Sequence, residues 1–586
     1  MYKSTKTPNH KHLWWKEAVF YQIYPASFKD SNADGWGDIP GLISKLPYVR
    51  SLGVDVVWLS PMYESPQADM GYDISNYEAV YAPYGTIEDV DELVKACHDL
   101  GMKFMLDLVI NHTSDQHAWF NESRSSKTNP KRDWYIWRPA RYDEKGERIP
   151  PTNWRSYFAG NTWTWDETTQ EYYLHIYSPS QPDLNWENPE CRKAVYASAM
   201  HFWLARGIDG FRVDTVNKYS KDTSFPDAPI TDPTTWIQAA PQFWCNGPRV
   251  HEFIKEMKTT VLDHYHTFDG GPIVTVGELS MAPNPLTVLE YVSAARGELD
   301  MVFQFDMVGL GQGKHFDGKY DFLPWELSTL ESIVEKWQTF IDDTDSWTTV
   351  FSENHDSGRS VSRWGSDDPL WRDKSAKMLT LMQIAQSGTL FLYQGQEIGM
   401  VNAPKDWPIE EYKDIEAQNL YKEAIERGDQ DRIQRLVHGL QLMGRDNARL
   451  PMQWDGSANA GFSAAEKTWM RVHDLYREIN VEKQEADAHS VLQFWKKMLR
   501  LRKEYSDVFI YGRFELLSER DENLFVFRKI GEGKRNAVAC LNFSQNVRML
   551  GSYGSVVENM KVLVSTYGEG LGRELKPFEG RIYVDQ

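Results

Sequence analysis

Eight short runs of β-branched and aromatic residues punctuate the first two-thirds of the chain. They are Val19-to-Tyr24, Val54-to-Leu59, Phe104-to-Val109, Gly210-to-Val213, Val274-to-Val276, Met301-to-Phe305, Thr348-to-Phe351 and Thr389-to-Tyr393. Amphipathic stretches such as Val90 to Leu100 separate most of them. Strands alternating with helices predict a parallel α/β domain. Eight such units predict a closed (β/α)₈ barrel.

Two gaps are too long for simple connections. After the third run, residues 112–182 are rich in Trp, Tyr, Asn, Pro and charge, with little helical periodicity. A structureless loop of that length is uncommon, so a small inserted domain is expected over the barrel mouth. A second insertion, 394–454, follows the eighth run and carries helical charge patterns. The barrel is therefore divided into 1–111, 183–393 and closing helices in 455–505. From 506 to 586 short alternating runs separated by turn residues predict a C-terminal antiparallel β domain.

Composition narrows the function. The 586 residues are 41% hydrophobic and 25% charged, as expected of a well-cored globular protein. A net charge of -20 argues against nucleic acid or anionic membrane as a partner. The four cysteines are scattered, which argues against a disulfide framework or a zinc site. No run reaches the ~18 apolar residues of a membrane span, and Met1 to Lys16 lacks the apolar segment of a secretory signal. A cytoplasmic protein, monomeric or weakly dimeric, is expected. Aromatics reach 13%, with 23 Trp, and sugar faces stack on such rings.

Three runs end in acids: Phe211-Arg212-Val213-Asp214, Thr275-Val276-Gly277-Glu278 and Glu353-Asn354-His355-Asp356. An acid at a strand end is by itself usually a solvated loop charge. Three at the C-terminal rim of one barrel suggest glycoside hydrolysis or transfer. Asp214 and Glu278 would end adjacent strands, which lie roughly 4.8 Å apart. That suits the ~5–5.5 Å separation of carboxylates in a retaining mechanism. Arg212 shares a strand face with Asp214 and should favour its ionised form. Glu278 has no cation adjacent in sequence, so a raised pKa and a proton-donor role are expected. His355 is expected to donate to a sugar hydroxyl beside Asp356, and His112, Tyr72 and Asp73 to reach the same rim. The run from Asp30 through Asn32, Asp34 and Trp36 to Asp38 places oxygen donors at alternate positions, like the start of a calcium loop. A structural calcium ion, or magnesium, is expected there.

Together these segments resemble the α-amylase superfamily, glycoside hydrolase family thirteen. Asp107-to-His112, Gly210-to-Asp214, Gly277-Glu278 and Asn354-to-Asp356 look like its four signature regions, in order. Gln181-to-Trp186 and Arg445-to-Trp454 resemble motifs of the oligo-1,6-glucosidase/maltase subgroup, including the intracellular fungal type of α-glucosidase. The resemblance implies Asp214 as nucleophile, Glu278 as acid/base and Asp356 as transition-state stabiliser. It implies Asp73, His112, Arg212 and His355 around the bound glucose, with Arg445 preferred over Arg449 to reach the same sugar. Tyr72, Tyr157, Phe158, Tyr177, Thr215 and Phe303 complete the expected substrate set. Tyr177 stands where many relatives carry Phe. The Asp30 loop resembles the subgroup's divalent-ion site, with Trp36 contributing its carbonyl.

Thr215 follows the nucleophile, where isomaltases of this family tend to carry Val and maltases Thr or Ala. The expectation is therefore an exo-acting, retaining α-glucosidase that acts on maltose, maltotriose and sucrose, with some glucosyl transfer. Rivals are an isomaltase or a sucrose isomerase. A non-catalytic transporter heavy chain is a rival of another class, disfavoured by the full acid set and the lack of a span.

Overall fold

A computed structural model describes residues 12–313, 318–518, 521–531, 533, 535–568 and 572–585. The start of the polar N-terminal segment, residues 1–11, lies outside them. Eight parallel strands form one sheet: β1 (Val19–Ile23), β2 (Val56–Leu59), β3 (Lys103–Leu108), β4 (Gly210–Val213), β5 (Val274–Leu279), β6 (Met301–Gln304), β7 (Thr349–Val350) and β8 (Thr389–Tyr393). Their order is β6-β5-β4-β3-β2-β1-β8-β7, so consecutive strands pair apart from β6 and β7 at its two ends, and the one exception to consecutive pairing joins β8 to β1. That exception brings the sheet round into the expected barrel. Between β6 and β7 the hydroxyls of Thr348 and Thr349 each donate to the Val302 carbonyl at 3.0 Å. Side chains thus replace the backbone ladder at the closing seam, and β7 shrinks to two residues.

An aromatic layer fills the barrel interior. Phe303 stacks on Trp58 (centroids 5.4 Å) and meets Phe351 and Phe391 edge-on at 5.0 and 4.7 Å. Strands buried on both faces read as continuous hydrophobic runs, and burying each such ring contributes about 1.5–3 kcal/mol.

The first insertion holds a helix, Ala118–Ser125, and a three-stranded antiparallel sheet of Trp137–Arg138, Glu171–Leu174 and Trp163–Asp166. Its core is shared with the long connection after β4. Trp154 stacks on Phe243 at 5.6 Å and donates its indole N–H to the Pro226 carbonyl at 2.7 Å. The second insertion supplies two helices, Ile415–Arg427 and Gln430–Met443. The insertions meet where Arg155 pairs with Glu423 at 3.0 Å and Asn419 donates to the Phe158 carbonyl at 3.0 Å. At the C-terminus β9 (Arg513–Leu516), β10 (Leu524–Ile530), β11 (Asn536–Asn542), β12 (Lys561–Ser565) and β13 (Gly580–Val584) form an antiparallel sheet in the order β9-β10-β11-β13-β12. No helix among the described residues is long and apolar enough to cross a membrane.

Candidate active site

Register places the acids. Arg212 and Val213 on β4 pair with Val276 and Gly277 on β5, which sets Asp214 opposite Glu278 at the rim. Gly277 is required there: a Cβ would stand 2.9 Å from Val216 and 2.7 Å from Leu299. The exit of β4 therefore packs closely on β5. Thr215 turns the chain with φ 43° and ψ 40°, a left-handed conformation that a β-branched residue rarely adopts.

Arg212 binds the acids together from behind. Its Nη1 donates to Asp107 and to Asp214 at 2.6 Å each, and its Nη2 to Glu278 at 2.6 Å. One guanidinium spanning Asp214 and Glu278 holds both at short range. Glu278 thus has a cation beside it in space, although none adjoins it in sequence. Burial nevertheless dominates. It lifts the Glu278 carboxyl to about 7, against the pull of Arg212 and with a push from Asp214. Burial raises Asp214 too, while Arg212 and a hydrogen bond from Glu278 hold it down. Arg212 favours the ionised form of Asp214 as expected; the cation offsets burial without reversing it.

Asp356 has the opposite balance. Burial alone would raise its pKa, but His355, Arg445 and Arg449 outweigh it and hold the carboxyl far below the usual range. Arg449 Nη2 lies 3.0 Å and Arg445 Nη1 3.3 Å from Asp356 Oδ1. Arg445 also pairs with Asp69 at 3.0 Å, and its Nε donates to Asp414 at 2.6 Å.

A pocket of about 570 Å³ opens over these groups. Asp214, Glu278 and Asp356 line it, with Tyr72, His112, Tyr157, Phe158, Tyr177, Thr215 and Arg445. Five expected sugar contacts stand elsewhere. Asp73 is fully buried and accepts the backbone N–H groups of Ala68 and Asp69 at 2.8 and 2.9 Å. Left-handed turns at Met70 and Gly71 fold it back, and Asp69 faces the pocket instead. Phe303 belongs to the barrel's aromatic layer; Phe305, one pleat further on, reaches the rim. His355 has both ring nitrogens engaged, Nδ1 with Gln22 at 2.8 Å and Nε2 with the Tyr72 hydroxyl at 2.6 Å, so it orients neighbours rather than a sugar hydroxyl. Arg212 and Arg449 stand behind the acids. The sequence reading missed Asp69, Lys218, Lys319 and Glu416, which also line the pocket. Asp69 lies in the same short motif as Asp73, but the other three are lone charges without a local signal.

In the Asp30 loop three turns follow one another. Asp30, Asn32 and Asp34 each accept the N–H two residues on, at 2.9, 2.9 and 2.8 Å. This curls side-chain oxygens from alternate residues along one loop, a donor set that fits a hard cation. Among the described residues no group of three His, Cys, Asp or Glu could hold an ion alone. Ligands would therefore have to include Asn32 and a carbonyl such as that of Trp36.

The family model for the α-amylase catalytic domain matches residues 22–512. An α-glucosidase of Candida albicans is 50% identical over 98% of this chain and 99% of its own length. An oligo-1,6-glucosidase of Saccharomyces cerevisiae is 46% identical, with both chains fully covered. Among solved structures, isomaltulose synthase from Klebsiella sp. LX3 superposes with a TM-score of 0.89 at 37% identity, covering 98% of this chain and 100% of that one. Rim acids, barrel and full-length similarity agree: the chain belongs to the α-amylase family.

Proposed function

We propose that the protein is an exo-acting α-glucosidase that retains anomeric configuration and prefers maltose and short malto-oligosaccharides. The observation that carries this reading is the Asp214–Glu278 pair, opposed on adjacent strands and spanned by Arg212, with Glu278 at about 7. At neutral pH Glu278 retains enough proton to serve as acid. It protonates the glycosidic oxygen while Asp214 attacks the anomeric carbon, forming a glucosyl ester and freeing the leaving sugar. Glu278, now ionised, takes a proton from water, which cleaves the ester. A sugar hydroxyl in place of that water gives transfer. Asp356, held as a carboxylate by Arg445 and Arg449, stabilises the positive charge developing on the ring. The joined insertions wall one side of the pocket, which favours a chain end over an internal linkage.

Thr215 on the pocket wall supports maltose over isomaltose. The S. cerevisiae relative keeps oligo-1,6-glucosidase as the second reading. Sucrose is a further proposed substrate. Turnover of maltose, isomaltose, sucrose and maltotriose, with the anomer of released glucose read by NMR, tests this. Faster isomaltose than maltose turnover would overturn the preference, and an unchanged rate in Asp214→Ala would overturn the mechanism.

The Asp30 loop is proposed to hold calcium, or magnesium, as a structural ion remote from the chemistry. Chelation should lower the melting temperature and added calcium restore it; no shift in either direction would sink this. Four buried, unpaired cysteines favour a reducing compartment such as the cytoplasm. Monomer or weak dimer is the proposed solution state.

A further inference from the structure

Lys218 is a buried cation in the pocket wall that the catalytic scheme does not use. Its residue is 1% exposed, and it ends the short turn Val216–Lys218 begun by the left-handed Thr215. Asn217 anchors that turn by donating to the Ser280 carbonyl at 2.8 Å. The ammonium donates to the Tyr177 hydroxyl at 2.6 Å and to Ser280 Oγ at 2.9 Å. It also rests over the Tyr157 and Tyr177 rings, 4.6 and 5.1 Å from their centroids, and those rings stack on each other at 5.0 Å. Aromatic faces and two fixed acceptors hold the cation in one place.

An ammonium has three N–H donors, and these two oxygens take two of them. Lys218, Tyr157, Tyr177 and Ser280 all line the pocket with Asp214 and Glu278. The turn bearing Lys218 leaves β4 directly after Asp214, on the side toward the exit of β5. It therefore stands beside the proton donor, where the leaving group departs.

We infer that Lys218, steadied by Tyr177 and Ser280, is a specificity-determining residue that donates its remaining N–H to a hydroxyl of the leaving sugar. The inference rests on the α-glucosidase reading and adds the chemical class of leaving group: a polyhydroxylated one, which presents an oxygen acceptor to a fixed cation. The Tyr177 hydroxyl gains a function in this arrangement, since Phe there would leave the ammonium one anchor short. Lys218 also lowers the Glu278 pKa, a smaller influence than burial, Arg212 or Asp214.

The test compares maltose with p-nitrophenyl α-glucoside, whose leaving group has no hydroxyl to receive the donor. In Lys218→Met, kcat/KM should fall at least tenfold more for maltose than for the aryl glucoside. The alkaline limb of the pH profile should also move upward, because the cation that helps ionise Glu278 is gone. Tyr177→Phe, a milder change should Lys218→Met fold poorly, should give the same preference for the aryl substrate, about threefold or more. Equal losses on both substrates, or an unmoved alkaline limb, would overturn the role of Lys218. Wild-type protein inactive on both substrates would instead overturn the α-glucosidase reading, and this inference with it.

Discussion

Glu278→Gln keeps the shape of the side chain and removes its proton, so its effect on stability should grow with pH. Burial lifts this carboxyl from 4.5 to about 7. A raised acid contributes stability that is fully present below pH 4.5 and lost as pH rises through about 7. Linkage puts the resulting handicap of the wild type at about 1 kcal/mol at pH 5 and about 3 kcal/mol at pH 8. Gln has no proton to lose. The stability of the variant relative to wild type should therefore rise by roughly 2.5 kcal/mol across that range. At about 2.1 cal/mol/K per residue, unfolding 586 residues carries about 1.2 kcal/mol/K, so the melting difference should widen by about 2 °C. Scanning calorimetry at pH 5, 6, 7 and 8 with one scan rate measures it. Glucose release from maltose should fall by roughly 10²–10⁴ in the same variant. A melting difference that stays flat, or narrows toward alkaline pH, would refute the claim that Glu278 is buried with a raised pKa.

Four other outcomes follow from the site. In wild type, kcat/KM on maltose should decline above pH ~7, as Glu278 loses the proton it donates; a profile flat to pH 9 would contradict this. Thr215→Val should shift the maltose-to-isomaltose rate ratio toward isomaltose by about 10-fold or more, since one such swap moves discrimination by ~1–3 kcal/mol; an unchanged ratio would remove Thr215 from substrate choice. Asp69→Asn should lower kcat/KM by about 10²-fold with little change in melting, because it faces the pocket and pairs with Arg445. Asp73→Ala should instead cost about 1–3 kcal/mol of stability by orphaning two backbone N–H groups; kinetic and thermal data on the two variants distinguish the sites.

What the sequence conveys here depends on how local the cause is. Strand runs such as Val19-to-Tyr24 are legible because a strand buried on both faces needs apolar residues throughout. Asp214 and Glu278 are legible because register follows from strand order. Phe303 and Phe305 share parity, so periodicity alone cannot say which passes the end of β6, where packed layer becomes rim. Asp69 and Asp73 lie four residues apart, and the left-handed turns at Met70 and Gly71 decide which faces the pocket. The shared core of the first insertion depends on Trp154 meeting Phe243, a contact between distant segments that no local pattern announces. Lys218 looks like any surface lysine until Tyr177 and Ser280 surround it.

Thr215 carries two burdens at once. Its side chain lines the pocket, and its backbone holds a conformation that costs a β-branched residue about 1–3 kcal/mol. The same turn brings the Thr215 N–H within 3.4 Å of Glu278 and aims Lys218 inward. Evolutionary exploration of new linkages at this position is therefore never a change of side chain alone. Gly would relax the turn while keeping the N–H that faces Glu278, at the cost of the side chain on the pocket wall. Diversification at residue 215 should thus proceed among residues that tolerate the strained turn, with compensating changes nearby, which makes substrate range a slowly drifting property of this scaffold.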